Sequence, residues 1–360
     1  MSKSALFCAA VFIMSSVGVT RARAQDPREA VDVDNVTRSY VVHVPKYFDK
    51  TKKYPAVLLL HPMDNDGDDM ARLTHFNETA DANNFIAVYP NALGRRWDLG
   101  AQQQAERPRQ RNGGYGRGGG GWPGGGWPGG GGGGGGQRRG GGQRPSGGEE
   151  AQHGNDLAFF DRVLDKVEFD YPVDPTRVYV VGLSDGGVMD FRLGCLMSER
   201  IAAIATVGAE LPEPLSKSCL PSHSIPLMMV NGTSDPIFHY KGGDDRQLRL
   251  TTLSAEDSAK AWAKISSCGE KSKQSSIPPI VSGDKPVRLD EFTDCKPAPN
   301  VRVVLYSLEG SGNTWPRGEQ YEPESKVGKV SGDFETNESI WKFLEGYTLP
   351  TATARTGGNN

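Results

Sequence analysis

A serine between glycines, Gly182-Leu183-Ser184-Asp185-Gly186, follows the apolar, β-branched run Val178-Tyr179-Val180-Val181. A serine hydroxyl is a poor nucleophile until a base takes its proton. The base in turn needs a carboxylate to fix its tautomer and offset its charge. Strand, sharp turn and helix is the context in which a Gly-x-Ser-x-Gly serine is pushed out at the top of a sheet, with helix N–H groups facing any negative charge that develops there. Gly182 and Gly186 keep side chains out of a turn too tight for a Cβ. The carboxylate expected to complete the set is Asp235, in Gly232-Thr233-Ser234-Asp235-Pro236, just past the apolar run Leu227–Val230. A plain Asx turn capping Pro236 is the alternative.

The proton acceptor is missing from its expected place. In the chain order serine, acid, histidine, the histidine belongs in the loop after the last strand. That loop reads Glu309-Gly310-Ser311-Gly312-Asn313-Thr314-Trp315-Pro316, and the six histidines are His43, His61, His75, His153, His223 and His239. His239, shortly after Asp235, is best placed to substitute as base, and His153 is second. A lone loop histidine is more often a solvated side chain.

Elements that could carry these residues alternate along the chain. Ser39–Val44, Pro55–Leu60, Phe85–Tyr89, the run before Ser184, Ile201–Val207, Leu227–Val230 and Val301–Leu308 read as strands, several of them continuously apolar and therefore buried on both faces. Met70–Asn83, Asn155–Phe169, Ala255–Ile265 and Asn337–Tyr347 read as helices. Strands alternating with helices predict an α/β architecture: a mostly parallel central sheet covered on both faces, in one domain over residues 25–347. Residues 25–37 read as a loose arm, 269–295 as loop, and 348–360 as a frayed tail. Residues 101–150 are dominated by glycine, with interspersed Arg and Gln and two Gly-Trp-Pro units. Such a stretch cannot bury enough apolar surface to offset its ordering entropy, and is expected to be a disordered insertion.

The chain has 360 residues, 36% of them hydrophobic, and a net charge of -3. This balance gives no reason to expect nucleic acid as a partner. Lys3, the apolar stretch Ala5–Val19 and Ala22-Arg23-Ala24 read as a secretory signal over residues 1–24, with a retained N-terminal anchor as the alternative. The expected location is therefore extracellular or periplasmic, with no membrane association once the signal is removed. Removing it also removes Cys8 and leaves Cys195, Cys219, Cys268 and Cys295. An even number in an exported chain suggests two disulfides. Three pairings are open. Cys195–Cys219 with Cys268–Cys295 is favoured because each closes a short local loop, and four buried free thiols are the alternative. No Cys/His spacing suggests zinc, and the chemistry above requires no metal or organic cofactor.

Taken together, Tyr54-Pro55-Ala56-Val57-Leu58-Leu59-Leu60-His61, Val88-Tyr89-Pro90, Arg177 through Gly187, Gly232-Thr233-Ser234-Asp235-Pro236 with Gly242-Gly243, and Gly312-Asn313-Thr314-Trp315-Pro316 resemble the secreted polyhydroxybutyrate depolymerase and feruloyl esterase group of α/β-hydrolases. The four remaining cysteines also fall where that group has them. The resemblance implies an α/β-hydrolase fold and cleavage of carboxylic esters, of hydroxyalkanoate polymers or feruloylated polysaccharides. It implies Ser184 as nucleophile, Asp235 as acid, and the N–H groups of Met63 and Asp185 as the oxyanion hole. His61, Trp97 and Trp315 are candidates for substrate contact, although His61 also suits packing beneath the oxyanion loop.

Two departures stand out. Asn313 occupies the group's histidine slot, and an amide is no general base near neutral pH. Pro62 replaces the glycine that follows the early histidine. It leaves the Met63 donor in place but fixes the backbone that aims it. The expectation is thus a serine hydrolase of carboxylic esters weakened by Asn313. The alternative is a catalytically inactive relative that binds a polymer or carbohydrate outside the cell. A matrix protein whose glycine-rich insert matters most is a third, weaker reading.

Overall fold

The computed structural model describes residues 26–100, 155–245, 248–280 and 285–350. The stretch expected to be a secretory signal, the glycine-rich residues 101–150, His153 and residues 351–360 lie outside them. Twelve strands are formed among the described residues: β1 (Arg28–Val33), β2 (Val36–His43), β3 (Tyr54–Leu60), β4 (Ile86–Pro90), β5 (Val173–Leu183), β6 (Ala203–Val207), β7 (Leu227–Gly232), β8 (Gly243–Asp245), β9 (Leu250–Thr252), β10 (Lys273–Ile277), β11 (Val287–Phe292) and β12 (Val303–Leu308). The helices are α1 (Gly67–Thr74), α2 (Phe76–Asn83), α3 (Asp156–Asp170), α4 (Asp185–Leu196), α5 (Glu213–Ser218), α6 (Ala255–Ile265), α7 (Glu324–Val327) and α8 (Thr336–Leu344).

Ten strands form one sheet in the order β1-β2-β4-β3-β5-β6-β7-β12-β11-β10. Its centre, β4 through β12, is parallel, and antiparallel hairpins extend both edges. The central strands read as unbroken apolar runs because both of their faces are covered. Period-2 alternation then sorts each run between two cores. Leu58, Leu60, Val178 and Val180 face one, with Phe159 and Phe160 of α3, Val188 of α4 and Trp262 of α6. Val57, Leu59, Tyr179 and Val181 face the other, with Leu73 of α1, Phe76 of α2 and Ile340 and Trp341 of α8.

The departures from expectation are at the edges. Residues 28–33 are an edge strand, β1, and not a loose arm. They pair with β2 through a tight turn in which Asp34 and Asn35 take φ of 50° and 64°. Asp and Asn are the side chains that best tolerate that left-handed turn. The polar stretch 269–295 contains the antiparallel pair β10–β11. β10 is almost entirely exposed, so no apolar period marks it. The helix expected over Met70–Asn83 is two helices broken at His75, whose φ is 53°. Leu349 donates its N–H to the Thr176 carbonyl oxygen at 2.8 Å, so the chain remains tied down beyond residue 347. Disulfides join Cys195 to Cys219 and Cys268 to Cys295. No helix among the described residues is long and apolar enough to cross a membrane.

Candidate active site

β5 ends at Leu183 and α4 begins at Asp185, leaving Ser184 alone to make the turn with φ 60° and ψ -126°. That is a strained conformation for a side chain with a Cβ, held because its surroundings leave no alternative. Ser184 N–H is bonded to the Val207 carbonyl at 2.9 Å and the Ser184 carbonyl to Val188 N–H at 3.1 Å. A Cβ on Gly182 would stand 2.3 Å from the Gly186 carbonyl carbon, and one on Gly186 2.3 Å from the Leu60 oxygen. The turn therefore requires both glycines.

Asp235 lies in the turn after β7. Its Oδ1 accepts from the N–H groups of Ile237 (2.8 Å) and Phe238 (2.9 Å). Its Oδ2 accepts from Asn313 Nδ2 at 2.8 Å. Asn313 is fully buried, and the same nitrogen donates to the Gly208 carbonyl at 2.8 Å. These two acceptors fix the amide orientation and leave Asn313 Oδ1 to accept from the Tyr321 hydroxyl at 3.0 Å. Hydrogen bonds thus join Tyr321, Asn313 and Asp235, and Ser184 is among the groups that act on the Tyr321 phenol. Ser184 is at the crest of the sheet, but it is only 3% exposed.

With a neutral amide as partner, Asp235 faces no cation, and burial lifts its carboxyl to about 7 despite three donors. Burial likewise pushes the Tyr321 phenol up, reinforced by the carboxylates of Asp235, Asp185 and Glu322. Asp185 is buried at the start of α4, and its carboxyl is raised to about 8 by burial. It interacts with the backbone N–H groups of Met63, Gly186 and Asp185 itself. Two of these, Met63 and Asp185, are the donors that the sequence suggested for an oxyanion. The Asp185 carboxyl thus lies against both of those N–H groups, while its Oδ1 has no hydrogen-bond partner among the described residues. Two more buried carboxyls, Asp190 on α4 and Glu210 beyond β6, are also pushed well up by burial.

Four residues suggested for the site do other work. His61 is buried, its Nε2 accepting from Ala92 N–H at 3.1 Å and its Nδ1 set 2.8 Å from the Pro62 oxygen. It is a neutral imidazole, held at about 4 by burial. Trp97 is buried against His61 and Phe160, with Nε1 donating to the His61 oxygen at 2.9 Å. Trp315 is fully buried, its Nε1 donating to Asn337 Oδ1 at 2.8 Å and its ring edge-on to Phe76. The polar ring atoms of these three are thus spent inside the protein. His239 is exposed, because Phe238 and Tyr240 on either side of it point inward. Its Nδ1 lies 3.3 Å from the Asp235 backbone oxygen and is not bonded to the Asp235 carboxylate.

Sequence reasoning missed Tyr321 and Glu210. Glu210 follows the carboxyl end of β6, the sheet edge where sites gather, and its Oε1 accepts from Asn231 Nδ2 at 2.9 Å. Tyr321 gave one faint signal: an aromatic residue in a polar loop just downstream of the histidine slot. A cleft of about 510 Å³ lined by Glu256, Lys260, Lys271 and Asp290 lies at the β11 edge and does not include Ser184.

No family model matches the chain. Among curated proteins, it is 27% identical over 201 residues to NocK of Nocardia uniformis subsp. tsuyamanensis, a protein named as an esterase, covering 53% of this chain and 57% of that one. It is 26% identical over 201 residues to feruloyl esterase B of Piromyces equi, covering 54% of this chain and 32% of that one. The chain thus spans little more than half of the first of these relatives and about a third of the second. Among solved structures, acetyl xylan esterase from Aspergillus awamori superposes with a TM-score of 0.53 at 12% identity, covering 89% of this chain and 99% of that one. The chain has the α/β-hydrolase fold and resembles the esterases and feruloyl esterases built on it.

Proposed function

We propose that the chain is a serine hydrolase of carboxylic esters that works slowly for its fold. The reading is carried by Ser184 on a strained strand-to-helix turn, with Asn313 hydrogen-bonded to the carboxylate of Asp235 at the same end of the parallel strands. The esterase names of its relatives support the reaction class. Feruloylated polysaccharide or hydroxyalkanoate esters are the substrate classes proposed, and an exported location agrees with two disulfides. Slowness follows from three features: Asn313 in the histidine slot, the Asp185 carboxyl against the oxyanion donors, and the small exposure of Ser184. The same three features favour a second reading, an inactive relative that binds an ester-bearing polymer. Release of 4-nitrophenol from 4-nitrophenyl acetate separates the two. Turnover lost in Ser184→Ala supports the hydrolase. No turnover, with retention of the chain on feruloylated xylan, supports the binding protein.

A further inference from the structure

We infer that Arg95 is a positioning residue of the reaction, acting through the loop that carries the Met63 N–H. This rests on the hydrolase reading above and deepens it, by naming what aims one of the two donors that an ester oxygen would meet.

That loop follows β3 and is pressed onto the start of α4. A Cβ on Gly186 would stand 2.3 Å from the Leu60 oxygen and 2.9 Å from the His61 oxygen, so the backbone before Met63 lies against the first turn after Ser184. Leu60 also pairs with Gly182 in the sheet. The aim of the Met63 N–H is set by its own peptide unit, since a trans peptide is planar and its N–H points away from its carbonyl. The carbonyl of that unit is the Pro62 oxygen, which accepts from Asn65 N–H at 3.2 Å and lies 2.8 Å from His61 Nδ1. His61 Nε2 accepts from Ala92 N–H at 3.1 Å, so the ring proton is on Nδ1 and is donated to Pro62. With the carbonyl held toward the imidazole, the Met63 N–H faces the opposite way, where the Asp185 carboxyl lies.

Arg95 fixes the other flank of Met63. Asp64 N–H donates to the Arg95 oxygen at 3.0 Å, and Arg95 Nη1 donates back to the Asp64 oxygen at 3.0 Å. Arg95 Nη2 donates to Asp66 Oδ2 at 3.1 Å. Asp66 is the N-cap of α1 and forms a capping box with Asp69, whose Oδ2 is 3.9 Å from Arg95 Nη1. The guanidinium therefore bridges a backbone carbonyl beside Met63 and the capped end of a helix whose Met70 and Leu73 are buried in the core. Its planar fork holds two acceptors in fixed directions, which a single ammonium does not. Asp64 and Arg95 both take left-handed φ, 63° and 61°. Neither is a glycine, and such conformations persist where the surroundings over-determine them. Pro62 has its own φ fixed on one side of Met63, and Arg95 supplies the hold on the other. The Arg95 side chain is half-exposed, so its ion pairs add little to folding stability. What it secures is geometry, and an oxyanion donor misplaced by about an ångström loses much of its worth.

The test uses the full chain and 4-nitrophenyl acetate. Arg95→Asn removes the guanidinium and keeps a residue that tolerates the left-handed turn. It is expected to lower kcat by about 10- to 100-fold, the upper figure being the cost of a misplacement of about 1 Å, with KM and the thermal midpoint little changed. Arg95→Lys, which keeps one donating group, is expected to recover part of the loss. Phenylboronic acid forms a tetrahedral adduct with a serine hydroxyl and sets an oxygen against the same donors. Its affinity for Arg95→Asn is expected to fall by about the factor that kcat does. An unchanged kcat, or a loss confined to KM, overturns the proposal. So does a fall in kcat with phenylboronic acid binding unaltered, because a displaced donor weakens both. If Arg95→Asn does not fold, Arg95→Lys decides by the same two readouts, and wild-type values for both overturn the proposal. Turnover that survives Ser184→Ala, or no turnover in the wild type, removes the serine-hydrolase reading itself. Turnover that needs Ser184 but ignores Arg95 removes only the role of Arg95.

Discussion

Asn313 differs from an imidazole in the property that counts at this position: it has no lone pair that accepts a proton near neutrality. Yet it keeps the geometry, since its amide nitrogen reaches the Asp235 carboxylate at 2.8 Å. Asn313→His should therefore raise kcat on 4-nitrophenyl acetate by about 100-fold or more, the range that a placed general base supplies. Stopped-flow assays on the pure variant would check it, and an unchanged kcat would show that another group limits the rate. Asp185 makes a second claim on activity. Below about pH 8 its carboxyl is protonated, and above that it places a negative charge against the donors that an oxyanion needs. Wild-type activity should fall as pH rises through 8, and Asp185→Ala should abolish that fall. A pH–rate profile of both proteins gives the answer. At this scale the sharp turn at Ser184 and the loops that carry Asp235 and Asn313 were legible in the chain, because each sits in a short motif. Tyr321 was not, since only the path of the loop after Asn313 brings its hydroxyl back to the Asn313 amide oxygen.

Elements were legible where burial imposes a pattern. The unbroken apolar strands β3, β4, β6 and β7 could be placed within a residue or two, because a sheet covered on both faces leaves no polar positions in them. β1 and β10 were missed because edge strands half open to water carry polar side chains and show no contrast between faces. The turn between β5 and α4 is the element with least slack. Gly186 lies so close to Leu60 and His61 that any side chain must displace backbone. Gly186→Ala should lower unfolding free energy by about 3 kcal/mol, the upper end of overpacking costs, as read by urea denaturation. It should also cut ester turnover by moving Ser184. A stable Gly186→Ala protein with normal turnover would mean that the turn is more pliable than its contacts indicate.

At the scale of the whole molecule, the unusual quantity is the buried acid near the sheet's crest. Asp185, Asp190, Glu210 and Asp235 all lie inside, each raised above the ordinary carboxyl range chiefly by burial. A carboxyl whose folded-state pKa is raised holds its proton in the fold and releases it on unfolding. Its stabilising effect is complete below the unfolded value of about 4 and is lost as pH climbs to the folded value. For Asp235 and Asp185 that window closes at about 7 and about 8. The thermal midpoint should thus decline between pH 5 and 8, by several degrees, and Asp185→Asn should show a shallower decline. Calorimetric scans across that range test both. A midpoint that climbs with pH would show that these groups find cations as the chain relaxes.

One ion pair bears on how the molecule accommodates its strangest stretch of sequence. Asp156, at the first turn of α3, is buried with its carboxylate 2.6 Å from the Arg38 guanidinium and 2.6 Å from the Asp98 N–H that it receives. Asp98 and Asp156 stand on opposite sides of the glycine-rich tract, so a single carboxylate clasps both ends of it. Whatever length of chain is threaded between them leaves and rejoins the scaffold at one spot, and closure entropy grows only slowly with loop length. The clasp thus uncouples the architecture from its insert. That stretch can lengthen, shorten or change composition over generations without any strand or helix having to shift.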